Sequence, residues 1–406
     1  MLTEWGRMSR CCVVGGGPGG LVLAYLMARA GVEVTLLESQ PDFDRDFRGD
    51  SLHPATLELM DQLGLADRLL ELEHFRATTF SLHSPSWTVR TADYDRIGGK
   101  FPYVALMPQA RFLDFLASEA AVHPNFELRT SAKVTGLVEE DGRVVGVRCG
   151  GEVVRADLVV AADGRFSRMR RLADLPVTSL GGGGDILWFR LPRRSDDPPE
   201  ADVDIYFGAG HYIGLLGGPD SWQVGYTIPK GGFQQARRAG VEPIREFVRE
   251  NVRWLADRAD LLTGFEQITL LSVDIARAKR WYRPGLLMIG DAAHVISPVG
   301  GNGILMAVQD AVVAANVLIP ELKAGAVSEE ALAEVQRLRE PAIEKVQAQQ
   351  VRVEERTAKA LATGLPYRFP LAFRLLCALA PFRKAAARAN AYGPFRPRLN
   401  PAVLDR

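Results

Sequence analysis

The chain has 406 residues, in which 49 lysine and arginine residues are balanced by 49 aspartate and glutamate residues. A net charge of zero argues against a nucleic-acid coating protein, and 47% hydrophobic with 24% charged residues is typical of a soluble globular protein. We recognise no run of 18 uncharged apolar residues and no secretory leader, so we expect neither a membrane-spanning helix nor export. The four cysteines lack metal-ligand or paired spacing, which predicts reduced thiols, no metal site and a cytoplasmic location.

A strand–helix–strand unit opens the predicted fold. Residues 10–14 form a short β-branched strand, and residues 21–29 form a helix with Ala and Leu on its buried face. Residues 32–37 form a second buried strand. This order is typical of the first unit of a parallel α/β sheet.

The turn between the first strand and the helix carries the spacing Gly15-x-Gly17-x-x-Gly20, with Pro18 inside it. Gly15 permits the tight turn, Gly17 lets a pyrophosphate approach the backbone, and Gly20 lets helix and strand pack closely. The positive end of the helix suits phosphate groups. Glu38 closes the second strand, where a carboxylate accepts hydrogen bonds from an adenosine ribose and repels a 2′-phosphate. The unit therefore predicts bound FAD or NAD, not NADP.

A later segment favours FAD over NAD. Residues 286–289 form a buried strand that ends at Asp291, and the carboxyl end of a parallel strand is where open α/β sheets bind ligands. A carboxylate there can hold the hydroxyls of a ribityl chain. The long apolar helix over residues 304–319 directs its positive end at whatever binds near Gly303, and this would stabilise a reduced flavin. An NAD enzyme needs no such second element.

With these motifs the sequence resembles the class A flavoprotein monooxygenases, the FAD-dependent aromatic hydroxylases of the p-hydroxybenzoate hydroxylase type. The resemblance covers most of the chain. It rests on GGGPGG with Glu38, Arg48 before LHPATLEL, PQAR at 108–111, ADG at 162–164 with Ser167 and Arg170, GDAAH at 290–294, Pro298, and Gly301-Asn302-Gly303. These motifs in this order indicate the superfamily strongly, but they do not identify a substrate.

The resemblance implies cofactor roles for a set of residues. It places Arg48 on the FAD phosphates, Gln109 and Arg111 along the ribityl chain, and Asp291 on the ribityl hydroxyls. Asp163 and Gly164 would contact FAD and NAD(P)H together. Pro298 would lie beside the site of oxygen reaction, and the loop that receives the flavin carbonyl would contain Gly301, Gly303 and Ile304. Leu305 departs from the family, which commonly has Asn there, so one side-chain donor to the flavin is lost. Asn302 stands where the family often has Gln.

The predicted fold class is α/β, with a discontinuous Rossmann-type FAD-binding domain at 1–74, 102–178 and 277–326. An antiparallel-sheet substrate domain is inserted at 75–101 and 179–276, with strands at 186–191, 203–207, 212–216, 223–228 and 267–276 and an amphipathic helix at 242–254. Residues 327–406 are predicted to be a helical C-terminal region, in which Pro341 kinks a helix or starts a new one. Only one GxGxxG spacing is present, so a nicotinamide donor binds without a domain of its own.

Four side chains are candidates for contact with the substrate: His53, Tyr206, His211 and Tyr226. The alternative for each is a place in the core or on the sheet surface. His294 is interpreted as a structural part of the flavin motif. No nucleophile–base set and no general base can be identified, so the catalytic residues beyond the flavin stay unassigned.

The resemblance implies a monooxygenase in which NADPH or NADH reduces FAD, and O2 gives a peroxyflavin that hydroxylates or epoxidises a hydrophobic, aromatic small molecule. The alternatives are an FAD-dependent reductase of the geranylgeranyl type, a flavin-dependent halogenase, and a flavin- or ligand-binding protein without turnover. Trp222 with Ile228-Pro229 matches only part of the halogenase pattern. The basic C-terminal region is predicted to be a helical cap, with peripheral contact to an anionic membrane as the alternative.

Overall fold

The computed structural model describes residues 9–44, 49–298, 300–365 and 369–405. These residues form eleven α-helices and twenty-two strands. The helices are α1 (Pro18–Arg29), α2 (Pro54–Gln62), α3 (Ala66–Leu70), α4 (Gln109–Ala121), α5 (Arg168–Leu172), α6 (Phe233–Ala239), α7 (Glu242–Asn251), α8 (Gly303–Lys323), α9 (Glu329–Leu361), α10 (Leu371–Ala378) and α11 (Ala380–Tyr392).

The strands are short, and most of them belong to two large sheets. They are β1 (Arg10–Val14), β2 (Glu33–Leu37), β3 (Ser51–Leu52), β4 (Phe75–Ala77), β5 (Thr79–Ser84), β6 (Trp87–Asp93), β7 (Val104–Leu106), β8 (Phe126–Arg129), β9 (Val134–Glu140), β10 (Arg143–Cys149), β11 (Glu152–Arg155), β12 (Leu158–Ala161), β13 (Val177–Gly181), β14 (Gly184–Pro192), β15 (Val203–Phe207), β16 (Tyr212–Leu216), β17 (Ser221–Pro229), β18 (Thr269–Leu271), β19 (Ile275–Ala278), β20 (Tyr282–Arg283), β21 (Leu286–Met288) and β22 (His294–Val295).

The first large sheet has the strand order β20-β21-β12-β1-β2-β8, and every pairing except that of β20 with β21 is parallel. Alternate residues of β1 face opposite sides. Cys11 and Val13 pack against α1, α4 and α8, whereas Cys12 and Val14 pack with the small β9–β11 sheet. Both faces of the sheet are therefore covered, which is why its strands read as continuous apolar runs. The predicted Rossmann-type arrangement is confirmed.

The second large sheet has the order β18-β14-β17-β16-β15-β5-β6 and is antiparallel apart from the pairing of β15 with β5. The prediction that residues 75–101 add strands to this layer is correct for β5 and β6. It is wrong for β4, which pairs with β7 in a separate three-stranded sheet with β3.

The single strand predicted over residues 267–276 is divided in the structure into β18 and β19, which lie in different sheets. Val273, between them, donates its N–H to Asp185 at 3.2 Å and accepts at its carbonyl from Lys230. These side-chain contacts replace strand pairing at that point, so the chain leaves the second sheet there.

The C-terminal region is helical, as predicted, and it packs against the domains that contain the two large sheets. Pro341 does not start a new helix: α9 runs through it from Glu329 to Leu361. Buried residues on both sides of Pro341, Arg339 and Ile343, hold the helix in place. Among the described helices, α8 passes the length and composition test for a membrane span, but 72% of its apolar window is buried inside the protein. It is the central helix of the core.

Candidate active site

A cavity of about 600 Å³ lies between the two large sheets. Its first wall is made by the loops that leave the carboxyl ends of β1, β2, β12 and β21. Its second wall is one face of the antiparallel sheet, and Asn390 of α11 adds to the lining. The carboxyl edge of a parallel sheet is where such folds bind ligands.

The glycine turn after β1 has the geometry that a dinucleotide requires. Gly15 has φ +107°, and a Cβ there would collide with the carbonyl of Ala162. A Cβ on Gly20 would collide with the carbonyl of Gly15. A Cβ on Gly17 would meet no protein atom within 4 Å, so this position faces open cavity space. The N-cap residue of α1 is Gly17, which has no side chain to cap the helix, so the first N–H groups of α1 can serve a ligand.

Glu38 is buried at the end of β2 and lines the cavity. Its Oε2 accepts from the Gly16 N–H at 2.8 Å, and its Oε1 accepts from the Gln40 N–H at 2.9 Å. The carboxylate is therefore held beside the glycine turn, where the ribose of a bound dinucleotide would lie.

Asp163 and its neighbours tie two ligand loops together. The Asp163 carboxylate accepts from the N–H groups of Arg168 (2.7 Å) and Met169 (2.9 Å) and from the Ser167 hydroxyl at 2.5 Å. These bonds cap α5 and fix the turn at Gly164, which has φ +79°. The Arg170 guanidinium then donates to the Ala292 carbonyl at 2.9 Å, so the loop that contains Asp291 is attached to this turn.

A buried ionic network fixes the loop of Asp291 from behind. Asp310 on α8 accepts from the Gly290 N–H at 2.9 Å, from His294 Nε2 at 2.6 Å and from Arg339 Nε at 2.7 Å. Burial opposes ionisation of Asp310, but the charges and hydrogen bonds of His294 and Arg339 outweigh it and lower its pKa to about 2. His294 thus belongs to a structural network.

The loop from Pro298 to Gly303 forms the part of the cavity next to α8; Val299 lies outside the described residues. His53 Nε2 lies 3.2 Å from the Gly301 carbonyl, and burial lowers the pKa of His53 to about 4, so the ring is neutral at pH 7. The N-cap side chain of Asn302 makes no capping hydrogen bond to α8, and a Cβ on Gly303 would meet no described atom within 4 Å. The buried Oδ1 of Asn302 has no donor among the described residues.

These features fit FAD. The open space at Gly17 and the starts of α1 and α8, which the N-cap side chains leave uncapped, are what an extended dinucleotide with a polar ring would use. Of the residues predicted to hold it, the glycine turn, Glu38, Gln109, Asp163, Gly164, Asp291, Pro298, Gly301, Gly303 and Ile304 all line the cavity.

One predicted cofactor residue lies away from the cavity, and another is outside the described residues. Arg111 pairs with Glu73 at 3.1 Å and is not among the described lining residues, because its position on α4 turns it to the protein surface. Arg48 lies outside the described residues. Leu305, whose identity departs from the family, is fully buried in the core beneath the loop.

The substrate sheet presents mainly alternate residues to the cavity, and Asp204 and Leu215 between them also reach its lining. Ile186, Trp188, Val203, Ile205, Gly214, Leu216 and Gly225 line it, whereas Leu187, Phe189, Ile213, Val224 and Tyr226 pack on α7 behind the sheet. Of the four predicted substrate residues, only His53 lines the cavity. Tyr206 bonds Trp254 at 3.1 Å, and His211 stacks on Tyr226 at 4.8 Å, all away from it. The strand positions were predicted correctly, but the face was not.

Three polar residues that line the cavity, Asp50, Tyr94 and Asn390, were not predicted from the sequence. Asp50 and Gln223 bond each other, and Tyr94 accepts from Asn390 Nδ2 at 2.7 Å. In each pair the partners are far apart in the chain, so no local pattern could have found them. The one available signal for Asp50 was its place next to Arg48 and His53.

Comparison with known proteins identifies the family. Residues 8–350 match the family model described as FAD binding domain. The chain therefore belongs to the class A FAD-dependent aromatic monooxygenases, and it is an FAD-dependent oxidoreductase that uses NAD(P)H, O2 and a small-molecule substrate.

Particular relatives agree with this assignment. The 6-methylpretetramide 4-monooxygenase of Streptomyces rimosus is 38% identical over 398 residues, which cover 96% of this chain and 93% of that protein. In fold, the chain is similar to PqsL, a probable FAD-dependent monooxygenase from Pseudomonas aeruginosa (TM-score 0.75, 22% identity, 88% and 98% covered). It is also similar to p-nitrophenol 4-monooxygenase PnpA from Pseudomonas putida DLL-E4 (TM-score 0.76, 21% identity, 96% and 99% covered). The monooxygenase prediction thus fits better than the reductase, halogenase and non-enzyme alternatives.

Proposed function

We propose that the protein hydroxylates one ring of a multi-ring, phenolic polyketide. The observation that carries the proposal is the apolar sheet wall, with Trp188, Ile205 and Leu216, directly across one cavity from the flavin loops. A cavity of about 600 Å³ suits a flat substrate of several rings beside a flavin. The relative that acts on 6-methylpretetramide supports the same class of substrate.

The chain's own residues supply binding, orientation and exclusion of water. Bound FAD supplies the oxygen-transfer chemistry, in which one oxygen atom of O2 enters the substrate, the other leaves as water, and NAD(P)H is oxidised. Trp188 and the aliphatic wall hold the ring system flat and dry. The α8 N-terminus would hold the flavin's polar edge, and His53 fixes the Gly301 carbonyl of that loop.

The proposal is tested by product analysis. Holoenzyme is incubated with a tetracyclic phenol, isotopically labelled O2 and either NADPH or NADH, and products are separated by mass spectrometry. We expect a product that carries one labelled oxygen, and the rates with the two nucleotides identify the donor. A product with two added hydrogens and no oxygen would indicate the reductase alternative. A halide-dependent product formed only with a separate flavin reductase would indicate the halogenase.

We also propose a cytoplasmic location, supported by four free cysteines and by the need for reduced nicotinamide. Peripheral membrane contact stays a proposal with one supporting feature, the exposed Leu371, Leu375 and Leu376 of α10, and the relatives give it no support. Flotation with anionic vesicles tests it: protein that stays in the soluble fraction at low salt refutes the contact.

A further inference from the structure

We propose that Asp50 is the general base that accepts the proton of a phenolic hydroxyl on the bound substrate. This inference rests on the proposed function, because it presupposes a phenol in the cavity. It assigns the residue that the sequence could not identify, and it places that residue at the junction of the flavin-binding and substrate layers.

The other carboxylates that line the cavity have different roles. Among the described lining residues, five are acidic. Glu38 is held at the glycine turn, Asp163 caps α5, and Asp204 pairs with His83 at 2.7 Å. Asp291 lies in the loop predicted to bind the ribityl chain. Asp50 is the carboxylate that bonds a residue of the substrate sheet, Gln223 of β17.

The geometry of Asp50 leaves it able to bind a further donor. One carboxylate oxygen accepts from the Gln109 N–H at 3.2 Å, and the other accepts from Gln223 Nε2. A carboxylate has about four acceptor sites, so two donors do not saturate it. Its neighbour Ser51 approaches Gly301 of the flavin loop: a Cβ on Gly301 would lie 2.9 Å from the Ser51 hydroxyl. Asp50 therefore directly precedes, in the chain, a residue whose side chain approaches the flavin loop.

Gln223 holds the Asp50 carboxylate from the side of the substrate sheet, although it is not itself among the described residues that line the cavity. Its side chain is 94% buried, since only 6% of the residue is exposed, and its Oε1 has no donor among the described residues. The amide must point its NH2 group at Asp50, because an ionised carboxylate only accepts. The NH2 group of Gln223 is thereby committed to Asp50, which fixes the position of the carboxylate at the cavity wall.

The electrostatics of the site suit a base at neutral pH. Burial raises the pKa of Asp50 to about 6, against the opposing effects of Gln223, the Gln109 N–H and the charge of Arg190 on β14. The neighbouring titratable group, His53, is neutral at pH 7 because burial lowers its pKa. Asp50 is thus ionised at pH 7 but more basic than an ordinary aspartate, which is the compromise that general-base catalysis favours.

The step is a proton transfer. The phenol O–H bond breaks, the proton forms a bond with a carboxylate oxygen of Asp50, and the electron pair stays on the phenolic oxygen. The resulting ring is more electron-rich and accepts oxygen faster. After product leaves, Asp50 releases the proton to solvent and is again a carboxylate.

The test uses holoenzyme and alizarin, a three-ring phenol whose ionised form has its own visible band. Wild type is compared with Asp50→Asn, which keeps the shape and can still accept from Gln109, and with Asp185→Asn, a buried carboxylate on β14 outside the cavity. We expect wild type and Asp185→Asn to ionise bound alizarin partly at pH 7. Asp50→Asn removes the negative charge that opposes a phenolate, so we expect bound alizarin in this variant to ionise about one pH unit lower, by loss of its proton to solvent instead of to Asp50.

Turnover gives the second readout. With a probe that is hydroxylated, Asp50→Asn should lose about 100-fold in rate at pH 7 and recover about tenfold per pH unit, as the phenol ionises unaided. A merely structural role would lower FAD content or dye affinity and leave both pH profiles unchanged, and that outcome overturns the assignment.

The test distinguishes a wrong substrate class from a wrong assignment of Asp50 as the base. If alizarin does not bind, the multi-ring proposal fails, and the same comparison with 4-nitrophenol decides the role of Asp50. A response of 4-nitrophenol to Asp50→Asn supports the base with a smaller substrate. If neither phenol's ionisation responds to the substitution, or neither binds, Asp50 is not the base.

Discussion

Removing the carboxylate of Asp310 is predicted to destabilise the protein strongly, because this side chain holds three donors beneath the cofactor site. Asp310→Ala leaves the Gly290 N–H, His294 Nε2 and the fully buried Arg339 without their acceptor. The shift of the Asp310 pKa from 3.8 to about 2 corresponds to about 2 kcal/mol. An unpaired buried guanidinium raises the expected loss to about 3–5 kcal/mol.

Urea unfolding followed by tryptophan fluorescence measures this loss, and flavin absorbance reports whether FAD is retained. Because the folded-state pKa is depressed, the Asp310 contribution is complete above pH 4 and disappears as the pH falls toward 2. The difference between wild type and Asp310→Ala should therefore be constant from pH 8 to pH 5. The double variant Asp310→Ala/Arg339→Met should recover at least about 1.5 kcal/mol, since it removes the stranded charge as well. A single-variant loss below about 1 kcal/mol, or strictly additive losses, would refute the reasoning.

Three further predictions concern the cavity. Gly15→Ala should yield little folded protein, because its Cβ collides with the Ala162 carbonyl. Gly17→Ala should fold with an unchanged unfolding midpoint but bind FAD at least about tenfold more weakly. Equal behaviour of the two variants would contradict the turn geometry. Asp291→Ala should purify without FAD, as judged by the visible spectrum, and a fully yellow variant would show that the ribityl site is elsewhere. Gly214→Leu should fill open cavity space, so it should raise KM for a multi-ring substrate about tenfold or more while the FAD content stays unchanged. An unchanged KM would show that the substrate does not bind against β16.

The sequence alone determined the parts of this protein in which one local pattern has one structural meaning. The Gly15-x-Gly17-x-x-Gly20 spacing needs a strand before it and a helix after it, and the structure has β1 and α1 there. The strands at 203–207 and 212–216 were predicted to the residue, because turn residues mark both ends of each.

Tertiary structure alone decided which side of the substrate sheet faces the cavity. Residues 222–228 of β17 are all buried, because α7 covers one face and the flavin-binding layer faces the other. A strand buried on both faces has no polar–apolar alternation, so Tyr226 and the cavity-lining Gly225 cannot be told apart by pattern. The same one-residue ambiguity separates Tyr206 from Ile205.

The contact between Asp50 and Gln223 could not be predicted from the sequence either, because 173 positions separate the two residues and neither belongs to a motif with a fixed partner. Asp50 comes to its place because β3 pairs with β7 at the edge of the flavin-binding layer, and Gln223 because β17 lies in the middle of the substrate sheet. Local patterns therefore predicted which loops form the first wall of the cavity. The packing of one layer against the other determined which polar groups meet across the cavity, since such contacts depend on sheet pairing and strand face, which short-range patterns do not encode.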